Sequence, residues 1–425
     1  MHAQTGSNDP FKNYPAEQLC ELLRLDKSPL EFMDALQPAD WPGIIRSASR
    51  FGLAPVCYAR LEQLDLLDRV PPESAAALKN FYLIASARGI RRHHELERVL
   101  QALNDAGVRV MLLKGAHLAE EVYQDLALRQ MSDLDLLVPK DDLLRTADAL
   151  VALGYRTQRA YWVEFETSVS HQLPNFHSPA HCPIEIHWTL LLPELSYPID
   201  LNGIWDRSRS LKIGAAEGFG LSVEDLLLHL SIHAAVQHKI TAGLRFVYDI
   251  SLVLAHFKDQ VDWSILADRA RRWKAERPLY LMARLSRELF GAAVPDEFLG
   301  SIKPGGYDST WNEAARDLLF FDRGENPAFS TNLAVFLGSH SPAEKTRLFF
   351  RQIFLAPEEM AEVYPVLPDS PRLLLYYPVR LKFLLTRHIR SILRAAKRDP
   401  ALLDSARLAE ILREREIFLM ERLTS

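Results

Sequence analysis

Two aspartates, Asp133 and Asp135, stand two residues apart in the stretch Val108 to Val138, VRVMLLKGAHLAEEVYQDLALRQMSDLDLLV. On a strand, residues i and i+2 share a face, so both carboxylates would point one way while Leu134 and Leu136 enter a core. Like charges held that close raise each other's pKa unless a cation lies between them. A hard divalent cation removes the cost, and Mg²⁺ prefers one or two carboxylates together with substrate phosphates. The chemistry suggested is metal-dependent phosphate transfer. In PIEIHWTLL, Ile184, Ile186 and Trp188 alternate with Glu185 and His187, which makes Glu185 the candidate third acid. His187 beside it can assist proton removal from an acceptor hydroxyl, or orient and pack. Arg129 can hold phosphate or pair with an acid on the strand. Lys114 can bring charge to the same site or be a solvated turn lysine.

The elements that must position these groups follow from local pattern. Val108 onward reads as a short apolar strand, the Lys114-Gly115 turn, a brief helix and a second strand carrying both aspartates. Pro139 ends that strand, a helix runs to Leu153, Gly154 stops it, and Tyr155 to Arg159 can return as a strand. The order strand, helix, strand, helix, strand points to an α/β unit with a mixed sheet. Before it, residues 15–104 carry helical periodicity, with Asp40 placed to cap a helix and Gly52 to end it. After it, Ser222 and Asp225 resemble a capping box at the start of SVEDLLLHLSIHAAVQHKI. His229 and His233 share a face of that helix, with core or interface roles favoured over metal. Lys239 and Arg245 lie near the next helix, where Arg245 and Asp249 also have ion-pair spacing. The expected division is an arm at 1–14, a helical region at 15–104, a catalytic domain at 105–215, a helical domain at 216–300 and a helical region at 301–425.

The chain has 425 residues, 48% hydrophobic and 25% charged, with a formal charge of -5. That is an ordinary globular composition, long enough for more than one core, and it argues against a surface that coats nucleic acid generally. The three cysteines, Cys20, Cys57 and Cys182, form no disulfide framework and suggest a reducing compartment. His171, His177, His181, Cys182 and His187 match no zinc spacing. With no basic region followed by an apolar run at the N-terminus and no apolar window of roughly 18 residues, a cytoplasmic location is expected. From Ser370 to Arg398 the chain carries Arg372, Arg380, Lys382, Arg387, Arg390, Arg394, Lys397 and Arg398 with no acid. That basic amphipathic segment, Arg380 to Arg398 above all, can meet an RNA acceptor or an anionic membrane surface, or be a packed helix with a solvated face.

Once Gly115, Leu118, Tyr123, Arg129, Ser132, Asp133 and Asp135 are aligned, the order Lys-Gly-x-x-Leu, Tyr, Arg-x-x-Ser-Asp-Leu-Asp-Leu resembles the bacterial uncharacterised nucleotidyltransferase family of the DNA polymerase beta-like superfamily. The segments DW...A..FGLAPVCYARL, IEIHW, EDLLLHLSIHA and LRFVYDISLVL carry the likeness over most of residues 35–275. The resemblance implies an α+β fold, a mixed sheet flanked by N-terminal and C-terminal helical regions. It implies Mg²⁺ or Mn²⁺ at Asp133, Asp135 and Glu185, and transfer of NMP from an NTP to an acceptor hydroxyl with release of pyrophosphate. Lys114, Gly115, Arg129, Ser132, Lys239 and Arg245 are then candidates for the nucleotide, and the acceptor (protein, RNA or small molecule) stays open. The superfamily's Gly-Gly or Gly-Ser turn is here Gly115-Ala116, without a hydroxyl donor. The competing expectation is a catalytically inactive nucleotide-binding or protein-interaction module that keeps the fold.

Overall fold

The computed structural model describes residues 13–158, 163–179, 181–241, 243–321, 350, 354–357, 360, 363–364, 370–384 and 400–424. The chain divides into two compact units, Asn13–Phe320 with Leu419–Ser425, and Met1–Lys12 with Phe321–Phe418. The whole sheet belongs to the first. In the second, Ser370 caps a short 3₁₀ turn, Pro371–Leu375, and Tyr377 donates to the Leu355 carbonyl at 2.9 Å. The arm at 1–12, and residues 385–399 of the basic segment, lie outside the described residues. Among the described residues no helix is long and apolar enough to cross a membrane.

Helices α1 (Tyr14–Leu23), α2 (Leu30–Ala35), α3 (Trp41–Arg50) and α4 (Ala54–Gln63) precede the long α5 (Pro72–Asp105). Leu96, Val99, Leu100 and Leu103 of α5 recur at three and four residues and are fully buried against the sheet. Asp40 does not cap α3 through its side chain. That carboxylate instead accepts from the Gln37 N–H at 2.8 Å, in the turn leading to the helix. Gly52 follows α3 in the left-handed region (φ +67), and a Cβ there would stand 2.9 Å from the Arg245 guanidinium, so its smallness makes room for a cavity residue.

The sheet has seven strands in the order β3-β4-β5-β2-β1-β7-β6. They are β1 (Met111–Leu112), β2 (Leu134–Leu137), β3 (Arg156–Thr157), β4 (Phe176–Ser178), β5 (His181–His187), β6 (Arg209–Ile213) and β7 (Ala216–Gly220). β1 runs antiparallel to β2 and parallel to β7, and β2 runs parallel to β5, so the sheet is mixed and the fold is α+β. Leu134 and Leu136 of β2 and Ile184 and Ile186 of β5 enter one core with α5 and with Leu143 and Leu150 of the helix after β2. The β6–β7 hairpin straddles residue 215. Its two arms meet at the turn around Gly214 (φ +58), with Ile213 paired to Ala216.

Between strands lie α6 (Lys114–His117), α7 (Leu143–Ala152), α8 (Val163–Val169) and α9 (Leu201–Asp206). Beyond the sheet come α10 (Val223–Ile232), α11 (Leu244–His256), α12 (Trp263–Arg272), α13 (Glu276–Phe290), α14 (Asp296–Ser301) and α15 (Ser309–Phe320). Only half of a capping box forms at α10. Ser222 accepts from the Asp225 N–H at 3.3 Å, whereas the Asp225 carboxylate turns to Arg207 and Arg269, at 3.0 and 2.9 Å. A short Asp side chain reaches these guanidiniums rather than the backbone behind it.

Candidate active site

Parallel pairing of β2 with β5 sets Asp135 opposite Glu185 in register, and Leu137 opposite His187. Because Leu134, Leu136, Ile184 and Ile186 take the core face, Asp135 and Glu185 emerge together on the other. They line a cavity of about 600 Å³, whose wall also includes Lys114, Gly115, Arg129, Ser132, Asp133 and Arg245. Asp133 precedes β2, so the alternation of the ladder does not govern it. It is half-buried on the cavity wall, and the close group among the described residues is Asp135, Glu185 and His187, whose ligand atoms lie within 4.8 Å of one another. Asp133 and Asp135 thus line one cavity, while the in-register neighbour of Asp135 is Glu185 on the adjacent strand.

Asp135 is buried and doubly held. Lys114 Nζ stands 2.6 Å from its Oδ1, and His187 Nε2 stands 3.0 Å from the same oxygen. Burial pushes this carboxyl up, but the His187 hydrogen bond and the Lys114 ammonium outweigh it and hold Asp135 well below the usual carboxylate range. Glu185 goes the other way. Burial first, and the Asp135 charge second, push it up to about 7, although Asn175 Nδ2 donates to its Oε1 at 2.8 Å. Two neighbouring acids whose environments drive their pKa values apart are a common arrangement in acid–base sites.

His187 is 1% exposed and is absent from the cavity wall. Burial, followed by the Lys114 charge, lowers its pKa, so the ring is neutral and donates through Nε2 to Asp135. It positions Asp135 rather than facing an acceptor. Lys114 is no solvated turn lysine. Its backbone is left-handed (φ 44) and its ammonium is spent on Asp135. Gly115 needs no special φ; a Cβ there would lie 3.0 Å from Met131 Cγ, so the missing side chain lets the 129–131 loop approach. Ser132 is exposed on the cavity rim.

Arg129 pairs with neither acid on the strands. Its partner is Asp249 of α11, at 2.9 Å, and Tyr123 donates to the other oxygen of Asp249 at 2.7 Å. Burial works against the Arg129 charge, yet Asp249 and Tyr123 bring its pKa out above the ordinary arginine value. This corrects the Arg245–Asp249 spacing as well. With Asp249 engaged by Arg129, Arg245 reaches the Gln130 carbonyl at 3.4 Å and stays on the cavity wall. Lys239 is exposed, in a left-handed turn (φ 50), and does not line the cavity.

Sequence reasoning missed the part of the wall that the helical region after the sheet supplies. After α10 the chain widens into a π-turn, His233–Gln237, and His233, Gln237, His238 and Phe246 line the cavity. A second π-turn, Leu118–Tyr123, follows α6. Such turns gather at functional sites. Neither has a sequence signature, although the run of histidines at 229, 233 and 238 was visible. His171 also lines the cavity, its ring 5.2 Å from that of His187, with its pKa lowered to about 3 by burial and then by the His187 and Lys114 charges.

A mixed sheet sets two acids in register on the wall of a cavity that Lys114, Arg129 and Arg245 also line, in an α+β protein. A family model described as uncharacterised nucleotidyltransferase matches residues 37–291, and the chain belongs to that family. No curated protein and no solved structure matches it.

Proposed function

We propose that this protein is a nucleotidyltransferase that moves NMP from an NTP to a hydroxyl of an acceptor, and that its reaction is centred on Asp135 and Glu185. The observation carrying this reading is their register on β2 and β5 on the cavity wall. The carboxylates of Asp135 and Glu185, within one close group on the cavity wall, form an oxygen donor set that fits a hard divalent cation, and the raised pKa of Glu185 marks charge that a cation would relieve. Asp135 and Glu185 would hold Mg²⁺ or Mn²⁺, with Asp133 close by on the wall. Bound there, the cation supplies charge stabilisation at the oxygens of the transferring phosphoryl group.

The chain's own groups supply the rest. Glu185 accepts the proton of the acceptor hydroxyl as that hydroxyl's oxygen forms a bond to the α-phosphorus and the bond from that phosphorus to the bridging oxygen breaks, releasing pyrophosphate. Arg245 and Arg129 face the triphosphate, with Arg129 fixed by Asp249. Gly115 and Ser132 give the phosphates access to backbone, and His187 keeps Asp135 aimed. Lys239 is not part of this assignment, since it lies off the wall.

One contact favours the second reading, a non-catalytic nucleotide-binding module: the cation already on Asp135 is Lys114. Transfer of α-labelled NTPs, each in turn, to cell extract with Mg²⁺ or Mn²⁺ separates the two. Label is expected to move with wild type and to drop by about a hundredfold or more in Asp135→Asn and Glu185→Gln. No transfer by intact protein supports the module, and equal transfer by the variants removes these acids from the chemistry.

A further inference from the structure

The geometry points to a built pocket for a nucleobase in the wall of the cavity formed by His233, Gln237, His238 and Phe246; this rests on the nucleotidyltransferase reading and deepens it. The π-turn His233–Gln237 is closed by the His238 N–H donating to the His233 carbonyl at 2.9 Å and the Ile240 N–H donating to the Ala234 carbonyl at 2.9 Å. Ile240 then takes φ 63, a conformation β-branched residues rarely adopt. Backbone strain of this kind persists where surrounding structure over-determines it, commonly at ligand sites. Its result is that His233, Gln237 and His238 all reach the cavity.

The hydrogen-bonding sense of the wall follows from one contact. His233 Nδ1 lies 3.0 Å from Gln237 Oε1, and an amide oxygen only accepts, so Nδ1 carries the hydrogen. Burial, with the Lys114 charge behind it, keeps the ring neutral, which leaves Nε2 as a lone-pair acceptor. Gln237 keeps both hydrogens of its amide nitrogen. The wall thus offers an acceptor beside a donor. Every nucleobase presents the complementary pair on its Watson–Crick edge, such as N6–H beside N1 in adenine or N4–H beside N3 in cytosine.

Beside that edge lies an aromatic platform. The His238 and Phe246 rings are 5.2 Å apart, each of them packs on His233 (4.4 and 5.6 Å), and Phe246 is half-buried on the cavity wall. Stacking on such a surface accepts any base, while the fixed His233–Gln237 pair sets its orientation. Arg245, the residue before Phe246, is on the same wall and would bring the phosphates of the same molecule toward the acids.

The test is equilibrium binding to the full chain, with Mg²⁺ present, of non-hydrolysable analogues of the four NTPs and of inorganic tripolyphosphate, which has no base. At least one analogue is expected to bind about tenfold or more tighter than tripolyphosphate. Phe246→Ala and Gln237→Leu should each remove about tenfold from the analogue and leave tripolyphosphate within about twofold. Gln237→Leu, which leaves the aromatic platform whole, decides the matter should Phe246→Ala lower the melting temperature. Equal binding of analogue and tripolyphosphate by wild type, or an undiminished preference in the folded variants, overturns the pocket and leaves the transferase reading standing. A short RNA lacking a triphosphate that displaces the analogue at matching affinity would give this wall to an acceptor base, and also overturns the assignment. Failure of folded wild type to bind either ligand removes both readings.

Discussion

Glu185→Gln, set beside Asp135→Asn, isolates the electrostatics of the acid pair. Glu185 and Asp135 face each other on adjacent strands, so the Asp135 charge disfavours ionisation of Glu185. Burial adds to this, and together they carry Glu185 from 4.5 to about 7. Each pKa unit corresponds to about 1.4 kcal/mol, so the whole displacement is worth at most about 3 kcal/mol. The folded pKa is raised, which fixes the sign. Below pH 4.5 both folded and unfolded chains hold the proton and the group costs nothing. Between 4.5 and 7 the unfolded chain gives it up while the folded chain keeps it, so stability falls as pH rises and levels off above 7. Carbon-13 NMR of glutamate carboxyls in metal-free protein, with the Glu185 resonance assigned by its loss in Glu185→Gln, should show a midpoint near 7 in wild type. Asp135→Asn should move it downward without restoring 4.5, because the larger cause, burial, remains. A wild-type midpoint below 5, or an upward shift in Asp135→Asn, would refute the reasoning.

Two other substitutions test the scaffold around the cavity. Arg129→Leu leaves Asp249 buried with only Tyr123 for company, and a loss of about 3–5 kcal/mol is expected in denaturant unfolding, with Asp249→Asn in the same background recovering part of it. A cost below about 1 kcal/mol would show that the pair does not hold α11 to the 129–131 loop. Gly89→Ala, inside α5, should raise stability by about 1 kcal/mol on helix propensity alone. Instead the added methyl would collide with the backbone carbonyl of Leu126, and a lowered melting temperature is expected; a rise would mean that the loop after the π-turn yields easily.

The parts legible in the sequence were those that local periodicity controls. Period-two alternation is enough to put Leu134, Leu136, Ile184 and Ile186 in a core and Asp135 and Glu185 on the other face. Nothing local states that β2 and β5 are neighbours, and that adjacency came from the resemblance. Asp133 shows the limit of the pattern, since the strand begins one residue too late to include it. Arg129 and Arg245 show another: i,i+4 spacing allows Arg245 to meet Asp249, but a buried carboxylate goes to the guanidinium that arrives with Tyr123, and that choice is tertiary. The β6–β7 hairpin lacked the bulky residues that announce strands, with Ala216, Gly218 and Gly220 on its second arm. Gly218 lies where a Cβ would crowd Leu112, so the feature that hid the strand is the one that lets it pack on β1.

Strained backbone and function meet here in a specific way. Lys114 at φ 44 and the π-turn His233–Gln237 contribute to the lining of one cavity, and Ile240 at φ 63 follows that turn. Lys114 is the common electrostatic element. Burial is the first cause of the lowered pKa of His171, His233 and His238, and the Lys114 charge adds to it; the same charge helps to lower Asp135 and opposes the rise of Glu185. The proposed nucleotide would use both kinds of lining, its uncharged base against the histidines and its polyphosphate toward the acids and arginines. The left-handed turn at Lys114 brings its ammonium to Asp135 at 2.6 Å, and the same charge reaches the histidines of the cavity wall as the second or a later contribution to their lowered pKa.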